Sequence, residues 1–458
     1  MNHLPATPGP IDLLDDSAPA SHGYGAGVIC LFVRLVLNGV SLRGAERVMA
    51  LISEVFGLGI DIPDWTTGRL WLMRLGHAML TMPLPIADDW AWVMDHSVQI
   101  GKEKCLVILG VRLSHLPNSG ECLRYEDMRL VALVVRTSWT REEVAQAMED
   151  AVPRTGVPRV VVNDFGADVH GGVEIFRQKH PETSEVYDIK HKAACLLKHR
   201  LEKNPRWQEF QANVGQTRCA VQQTELGFLT PPAPKPKARF MNLQPQLEWA
   251  DGVLDVLANP PAPVLQWTSV QRLEEKLGWL RGFKDDIAEW SSWQQIVNIA
   301  VTHVNGHGIT RTTAKEVYQQ MPKPFAYEST ADLAKELTRF VARQGKQAKP
   351  GERLIGSTEV LESCFGKMKE MEKQHSRGGF TILVISFGAM LATTTTEAIN
   401  AALKHSRVAD VHDWCKPSRY NTVRQTKNRL RPRRNRTGMK TTQVFHQPSH
   451  AHRLVPWS

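Results

Sequence analysis

Apolar residues recur every three or four positions after Ser41, a period that predicts an amphipathic helix. Ser41 is a suitable N-cap, because its hydroxyl can accept a hydrogen bond from a backbone N–H of the first turn. Gly57, Gly59 and Pro63 interrupt the pattern and predict the end of the helix. The apolar positions of this helix are Leu42, Ala45, Val48, Met49, Ile52, Val55 and Phe56.

A second helix is predicted to run to about Leu80, with Thr66 or Thr67 as its N-cap. Two helices joined by a short turn with glycine and proline form a candidate helix-turn-helix, and an ordinary helical hairpin is the alternative. In a helix-turn-helix, Arg69 and Arg74 on the polar side of the second helix would contact DNA.

The pattern changes between residues 90 and 203, where short β-branched and apolar runs predict strands. Thr140 and Glu143 form a capping box, which predicts the start of a helix. The order of the predicted elements indicates an α/β (α+β) fold, with a mixed sheet and helices packed on it. The order is three strands, a helix, a strand, a short helix, a short strand and a last helix. The predicted strands cover residues 92–100, 105–113, 129–137 and 159–164, with a fifth ending near Asp188, and the first two helices cover 141–151 and 173–178.

From residue 205 to residue 350 the sequence loses strand character, and its helical periods predict a helical insertion. Proline-rich breaks at residues 230–239 and 259–263 punctuate it. We expect its tryptophans to lie in the core rather than to form a ligand platform. They are Trp207, Trp249, Trp267, Trp279, Trp290 and Trp293.

A further helix is predicted over residues 356–373, with Ser357 or Thr358 as its N-cap. Positions three, four and seven apart align on a helix, so a polar face forms beside an apolar one. The polar face carries Glu359, Glu362, Gly366 and Lys369, and the buried face carries Val360, Leu361, Phe365, Met368 and Met371.

Two aspartates occupy positions where a buried strand would favour apolar residues. Asp95 lies within the first predicted strand, and Asp164 directly follows the run Val160, Val161 and Val162. An aspartate at a strand end often begins a turn by bonding to its own backbone. The alternative is a metal ligand, which requires partner carboxylates from elsewhere in the chain.

The net charge of +9 is concentrated near the end of the 458-residue sequence. Residues 416–440 contain ten Lys and Arg and no acidic residue, with Arg431, Arg433 and Arg434 in the densest run. Such a segment can be a solvated tail, but its arginine bias suits phosphate contacts and indicates a nucleic-acid partner.

Other classes of protein fit the composition less well. The apolar stretches fall short of the roughly 18–20 residues that cross a bilayer, and the first residues do not resemble a signal peptide. Seven scattered cysteines without a C-x-x-C pair argue against a disulfide framework and a structural zinc site. A cytoplasmic protein without a membrane partner is therefore expected.

The chain resembles DDE-type bacterial insertion-sequence transposases with an RNase H-like catalytic domain. The resemblance lies in the order of three acidic residues: Asp95 on a first strand, Asp164 at the end of a fourth, and a glutamate on a late helix. The S-T-x-x-x-E opening of the late helix is similar to theirs, as is the segment HKAACLLK after Asp188. In that family a basic residue often follows the glutamate by seven positions. Lys369 stands seven after Glu362, so Glu362 is the preferred third acid and Glu359 the alternate.

The resemblance implies two Mg²⁺ ions, for which Mn²⁺ can substitute, held by Asp95, Asp164 and Glu362. It also implies that Lys369 steadies a DNA phosphate. The partners would be double-stranded DNA, as element ends and target, and further copies of the chain, in the bacterial cytoplasm with the nucleoid. Asp188 and His191 are candidates to support the ligands, with a structural cap as the alternative.

The resemblance also implies a division of the chain. It comprises a flexible N-terminus (1–25), a helical DNA-binding region (26–85), an RNase H-like core in two parts (86–204 and 351–410), a helical insertion (205–350) and a basic tail (411–458). Two other functions remain open: a non-catalytic DNA-binding protein derived from a transposase, and a host RNase H-like nuclease. Retention of all three acids argues against the first, and the helix pair and basic tail argue against the second.

Overall fold

A mixed five-stranded sheet lies at the centre of the computed structural model, which describes residues 11–17, 22–100, 103–233, 240–373 and 384–415. The strands are β1 (Trp90–Ile100), β2 (Glu103–Arg112), β3 (Arg129–Arg136), β4 (Val160–Asn163) and β5 (Ser184–Tyr187). Their order in the sheet is β3-β2-β1-β4-β5. Strand β2 is antiparallel to its neighbours β1 and β3, whereas β4 is parallel to β1 and β5 is parallel to β4. The predicted α/β class and mixed sheet are confirmed.

Helices cover both faces of the sheet. None of the described helices combines the length and the apolar character that a membrane crossing requires. In chain order they are α1 (Ala26–Leu37), α2 (Leu42–Phe56), α3 (Trp65–Thr81), α4 (Arg141–Thr155), α5 (Ala167–Lys179), α6 (Ile189–Leu201), α7 (Pro205–Val221), α8 (Gln244–Ala258), α9 (Ala262–Leu265), α10 (Val270–Leu277), α11 (Lys284–His307), α12 (Thr313–Gln320), α13 (Glu328–Gly345), α14 (Glu359–Lys373), α15 (Thr396–His405) and α16 (Val408–Cys415).

One face of the sheet packs on α4 and α5. Side chains alternate along a strand, so Trp92 and Met94 of β1 point to this face with Val161 of β4. The capping box of Thr140 and Glu143 opens α4 as predicted.

Helix α5 begins six residues earlier than predicted, so that Gly171 and Gly172 lie within the helix. A Cβ atom at Gly172 would lie 2.5 Å from the Val144 side chain of α4. The two glycines therefore allow close approach of the two helices, a use of glycine that local sequence does not distinguish from a turn.

The opposite face packs on the main core of the protein. Ala91 and Val93 of β1 and Val160 and Val162 of β4 point to it, together with the apolar stripe of α14. All five residues predicted for that stripe are buried, at most 6% exposed. Since residues 91 and 93 point to this face, the next odd position, Asp95, is expected on the same side.

The helical character predicted for residues 205–350 is confirmed by α7 to α13. Three of its tryptophans, Trp207, Trp290 and Trp293, are buried, and Trp249 and Trp279 pack against the same core. Trp267 is an exception at 74% exposed, so the expectation of a core position is wrong for this residue.

The N-terminal helices follow the prediction except at one cap. The Ser41 hydroxyl accepts a hydrogen bond from the Gly44 N–H at 3.0 Å, as expected for the N-cap of α2. Helix α3 is capped by Asp64, whose Oδ1 accepts the Thr66 N–H at 2.8 Å. The prediction of Thr66 or Thr67 as N-cap is therefore wrong, because both lie inside the first turn.

Candidate active site

The register of the sheet brings Asp95 and Asp164 together. Strands β1 and β4 are parallel neighbours in which Val93 pairs with Val162. Asp95 and Asp164 each lie two residues further along, on strands that are spaced about 4.8 Å apart. Positions two apart share a face, so both carboxylates belong to the face that α14 covers.

Asp95 is strongly perturbed by its surroundings. Burial, and next the charge of Asp164, raise the pKa of Asp95 to about 7, and Glu362 acts in the same direction. His191 and the backbone N–H of His96 lower the pKa of Asp95 but do not outweigh these effects. The charges of Asp164 and Glu362 therefore act on Asp95, and the three predicted acids meet in one region.

Asp164 lies in a tight turn that is fixed by hydrogen bonds. Phe165 has a φ of +61°, which is rare for a residue with a large side chain. The Asn163 Oδ1 atom accepts the Phe165 N–H at 2.8 Å, and the Asn163 Nδ2 atom donates to the buried Glu185 at 2.9 Å. The Asp164 Oδ1 atom accepts the Gly166 N–H at 2.8 Å. Asp164 thus begins the turn with its Oδ1 atom, and within the described residues no hydrogen bond is made to its Oδ2 atom.

Asp188 joins the carboxyl end of the sheet to the start of α14. Its carboxylate caps α6 by accepting the His191 N–H at 2.6 Å. The other oxygen accepts the Thr358 N–H at 2.5 Å and the Thr358 hydroxyl at 3.0 Å. Burial would raise the pKa of Asp188, but the hydrogen bonds from the His191 side chain, the Thr358 N–H and the His191 N–H outweigh it and hold the pKa below its usual value. Asp188 therefore caps α6 with one oxygen and fixes the residue before α14 with the other, so the two alternatives predicted for it are compatible.

His191 lies beside the acids and responds to their charges. Its Nδ1 atom lies 3.3 Å from Asp188 Oδ1. Burial alone would lower the pKa of His191, but the hydrogen bond and charge of Asp188, followed by Asp164 and Glu362, raise it above its usual value. A protonated His191 would offset part of the repulsion among the carboxylates.

Lys190 is a site residue that the sequence analysis did not single out. Its Nζ atom lies 3.0 Å from Glu362 Oε2 and 3.4 Å from Glu359 Oε1. These two glutamates, together with their hydrogen bonds, raise the pKa of Lys190 although burial opposes the shift. The available signal was its position two residues after Asp188, in the first turn of α6.

Glu359 and Glu362 differ in their surroundings. The charge of Glu362 acts on both Asp95 and His191. Glu359 instead accepts a hydrogen bond from the Asn305 amide and borders a cavity of about 520 Å³ beside α14. This geometry favours Glu362 over Glu359 as the third acid.

The polar face of α14 is open beyond Glu362. A Cβ atom added at Gly366 would meet nothing within 4 Å, and Lys369 is exposed. Lys369 thus lies two turns along the same helix from Glu362, with its side chain exposed.

The donor set fits a divalent cation with hard oxygen ligands. Mg²⁺ prefers carboxylates and retains several waters, so a few aspartates and glutamates suffice. In the described part of the chain, no three His, Cys, Asp or Glu side chains form a preformed ligand cluster. Lys190 is the cation paired with Glu362 in this structure, and a metal ion held by Glu362 would have to replace it as the counter-charge.

Arg69 and Arg74 lie on α3, and Arg74 is used within the protein. Its guanidinium donates to the backbone oxygens of Ser406 at 2.7 Å and Leu403 at 2.5 Å. Helix α3 is also covered by α15, α16 and the 3₁₀ segment Gly388–Leu391. The expectation that Arg74 lies on an available polar face is therefore wrong. The Arg69 guanidinium remains half-buried, 5.9 Å from the centre of the Trp65 ring.

Replacing Arg74 by alanine is expected to lower stability rather than DNA specificity. The substitution leaves the carbonyls of residues 403 and 406 without donors, at about 1–3 kcal/mol for each that stays buried. Arg69→Ala is the matched control on the same helix and removes only the contact with Trp65, worth about 0.5–1 kcal/mol. Chemical denaturation of both variants would test this, and equal stability losses would contradict it.

Arg431, Arg433 and Arg434 lie outside the described residues, as does the rest of the basic segment from residue 416 onward. All seven cysteines lie within the described residues, and each is a free thiol.

Comparisons with known proteins add no assignment to this geometry. No protein-family model matches the chain, and no curated protein matches it significantly.

Proposed function

We propose that this chain is a DDE-type transposase with an RNase H-like core, which cleaves phosphodiester bonds at the ends of a mobile DNA element and joins them to target DNA. The observation that carries the proposal is that Asp164, at the end of β4, and Glu362, on α14, both act by their charge on the half-buried carboxylate of Asp95 on β1. The mixed sheet, with β4 and β5 parallel to β1, is compatible with the proposed core.

Each residue has a distinct task in this proposal. Asp95, Asp164 and Glu362 would together hold the two Mg²⁺ ions. Bound Mg²⁺ would activate a water or a 3′-hydroxyl as the nucleophile and neutralise the leaving oxygen. Asp188 holds the start of α14 against the sheet through Thr358, which keeps Glu362 near Asp95. Lys369, exposed on the same face, would contact a DNA phosphate.

The DNA that flanks the gene supplies the test. We expect terminal inverted repeats bordered by short direct repeats. Purified protein should cleave a plasmid at these borders with Mg²⁺ and not with EDTA, and the freed ends should appear joined to a second DNA molecule. Flanks without such repeats, and no cleavage of them, would contradict the proposal.

A host RNase H-like nuclease is the second candidate, and one observation favours it. The predicted recognition helix α3 is packed against α15, α16 and the 3₁₀ segment, and its Arg74 is bonded to backbone oxygens of residues 403 and 406 rather than open to DNA. The two functions differ in strand transfer. Cleavage without end preference, and without any joined product, would support the nuclease.

The basic segment gives a prediction about DNA affinity. Arginine and lysine contacts to phosphates release counterions, and each contact steepens the log–log salt dependence of affinity by about 0.9. Removal of residues 416–458 is therefore expected to weaken binding to all duplexes and to flatten that slope, while preference for the element's ends survives. Binding isotherms at several salt concentrations, on end-sequence and scrambled duplexes, would measure both effects; an unchanged slope would make this segment a solvated tail.

A further inference from the structure

Helix α2 has an apolar face that the described protein leaves uncovered. Only Leu42, Ala45 and Met49 of the predicted stripe are buried. On the opposite side of the helix, Leu51 is 58% exposed and Val55 is 64% exposed. These two residues are four positions apart, so they adjoin on the helix surface and form a continuous patch.

The residues around this patch are ordered so that the face complements itself. Arg47, Ala50, Leu51 and Glu54 follow one another at spacings of three, one and three, and all four are exposed. If a second copy of the helix is laid antiparallel across a two-fold axis between Ala50 and Leu51, each Leu51 meets the small Ala50 of the other copy. The same rotation places each Arg47 opposite a Glu54.

Both charges are available for such a contact. Among the described residues, neither Arg47 nor Glu54 takes part in an ion pair. A two-fold interface requires one surface to match itself in size and in charge, and this short stretch satisfies both conditions. Val55 would extend the apolar contact along the aliphatic stem of Arg47.

We infer that the face of α2 formed by Arg47, Ala50, Leu51, Glu54 and Val55 is a two-fold dimerisation surface whose occupant is a second copy of this chain. This surface is separate from the carboxylate site and is testable without DNA. A single pair of helices buries less area than a standard stable interface, so the dimer is weak and concentration-dependent in free solution.

Charge reversal tests the inference directly. Arg47→Glu and Glu54→Arg each turn two attractive pairs into two repulsive ones, so each variant alone should dimerise about tenfold more weakly or worse. In a mixture of the two variants, one copy carries acidic residues at positions 47 and 54 and the other carries basic residues at both. Each contact between positions 47 and 54 in the mixed dimer therefore again joins side chains of opposite charge. Dimerisation should then return to the wild-type level.

Sedimentation equilibrium of nuclease-treated full-length protein at low ionic strength would measure these dimerisation constants. Lys315→Glu, on the exposed surface of α12, is the matched control, since it reverses one charge away from the proposed surface and should leave dimerisation unchanged.

Leu51→Arg should abolish the dimer while the circular dichroism melt stays unchanged, because the side chain is exposed. Failure of the mixture to recover dimerisation would overturn the inference, because recovery requires that position 47 of one copy contacts position 54 of the other. A protein that remains monomeric at all accessible concentrations, or a Leu51→Arg variant that still dimerises fully, would overturn it as well.

Discussion

Asp95→Asn, Asp164→Asn and Glu362→Gln are each expected to lower Mg²⁺-dependent DNA cleavage by about a thousandfold or more. Such a loss corresponds to about 4 kcal/mol of transition-state stabilisation. Each substitution removes a negative charge but little volume, so the metal ligand is lost while the surrounding packing and DNA binding remain. Single-turnover cleavage and a binding isotherm on the same duplex would separate the two effects.

Glu359→Gln is the matched control for the third acid, one turn earlier on α14. Glu359 bonds to Asn305 and Lys190 and borders the cavity, and it is not among the main groups that shift the pKa of Asp95. We expect this variant to retain measurable cleavage. An inactive Glu359→Gln beside an active Glu362→Gln would reverse the assignment of the two glutamates.

The unusual pKa of Asp95 predicts a second large effect, on stability without metal. The pKa of Asp95 is about 7 in the folded protein, against 3.8 for the ordinary group. Between these values the folded protein binds a proton that the unfolded chain releases, so the free energy of unfolding falls as pH rises from about 4 to about 7. A shift of about three pKa units corresponds to about 4 kcal/mol.

Asp95→Asn removes this pH dependence. In EDTA at pH 8 the variant should be more stable than the wild type, and the difference should disappear as pH falls toward 4. The groups that act on Asp95, namely Asp164, Glu362 and His191, are present in both proteins, so the comparison isolates residue 95. Denaturant melts across this pH range would measure it. Equal stabilities at pH 8 would mean that the folded protein does not disfavour the charged form of Asp95, so that its pKa is not raised.

Magnesium should act in the opposite direction on the wild type. A cation competes with the proton on Asp95, so stabilisation by Mg²⁺ should increase as pH rises through about 7. The same titration with Asp95→Asn should show little stabilisation at any pH. A variant that responds to Mg²⁺ as strongly as the wild type would place the binding site elsewhere.

The sequence alone determined the elements that carry the acids. Periods of two and of three to four residues are local properties, and they placed β1, β4 and the buried stripe of α14 near their observed bounds. Caps are local too, since Ser41 and the Thr140–Glu143 box each act within one helical turn. The cap of α3 failed as a prediction because several nearby polar residues could each fill that position, and only the observed backbone selects Asp64.

Tertiary structure decided which of these residues meet. The pairing of Val93 with Val162 sets Asp95 beside Asp164, and no local pattern encodes that register. Lys190 belongs to the site because α6 packs near α14, which brings its ammonium group to Glu362. Arg74 is not available on the expected DNA-binding surface, because the end of α15 packs against α3 and accepts its hydrogen bonds. Hydrophobic periodicity reports that a face is apolar but not what covers it. That depends on contacts between segments far apart in the chain. For this reason the whole predicted stripe of α14 is buried, whereas Val55 and Phe56 of the stripe predicted for α2 are exposed.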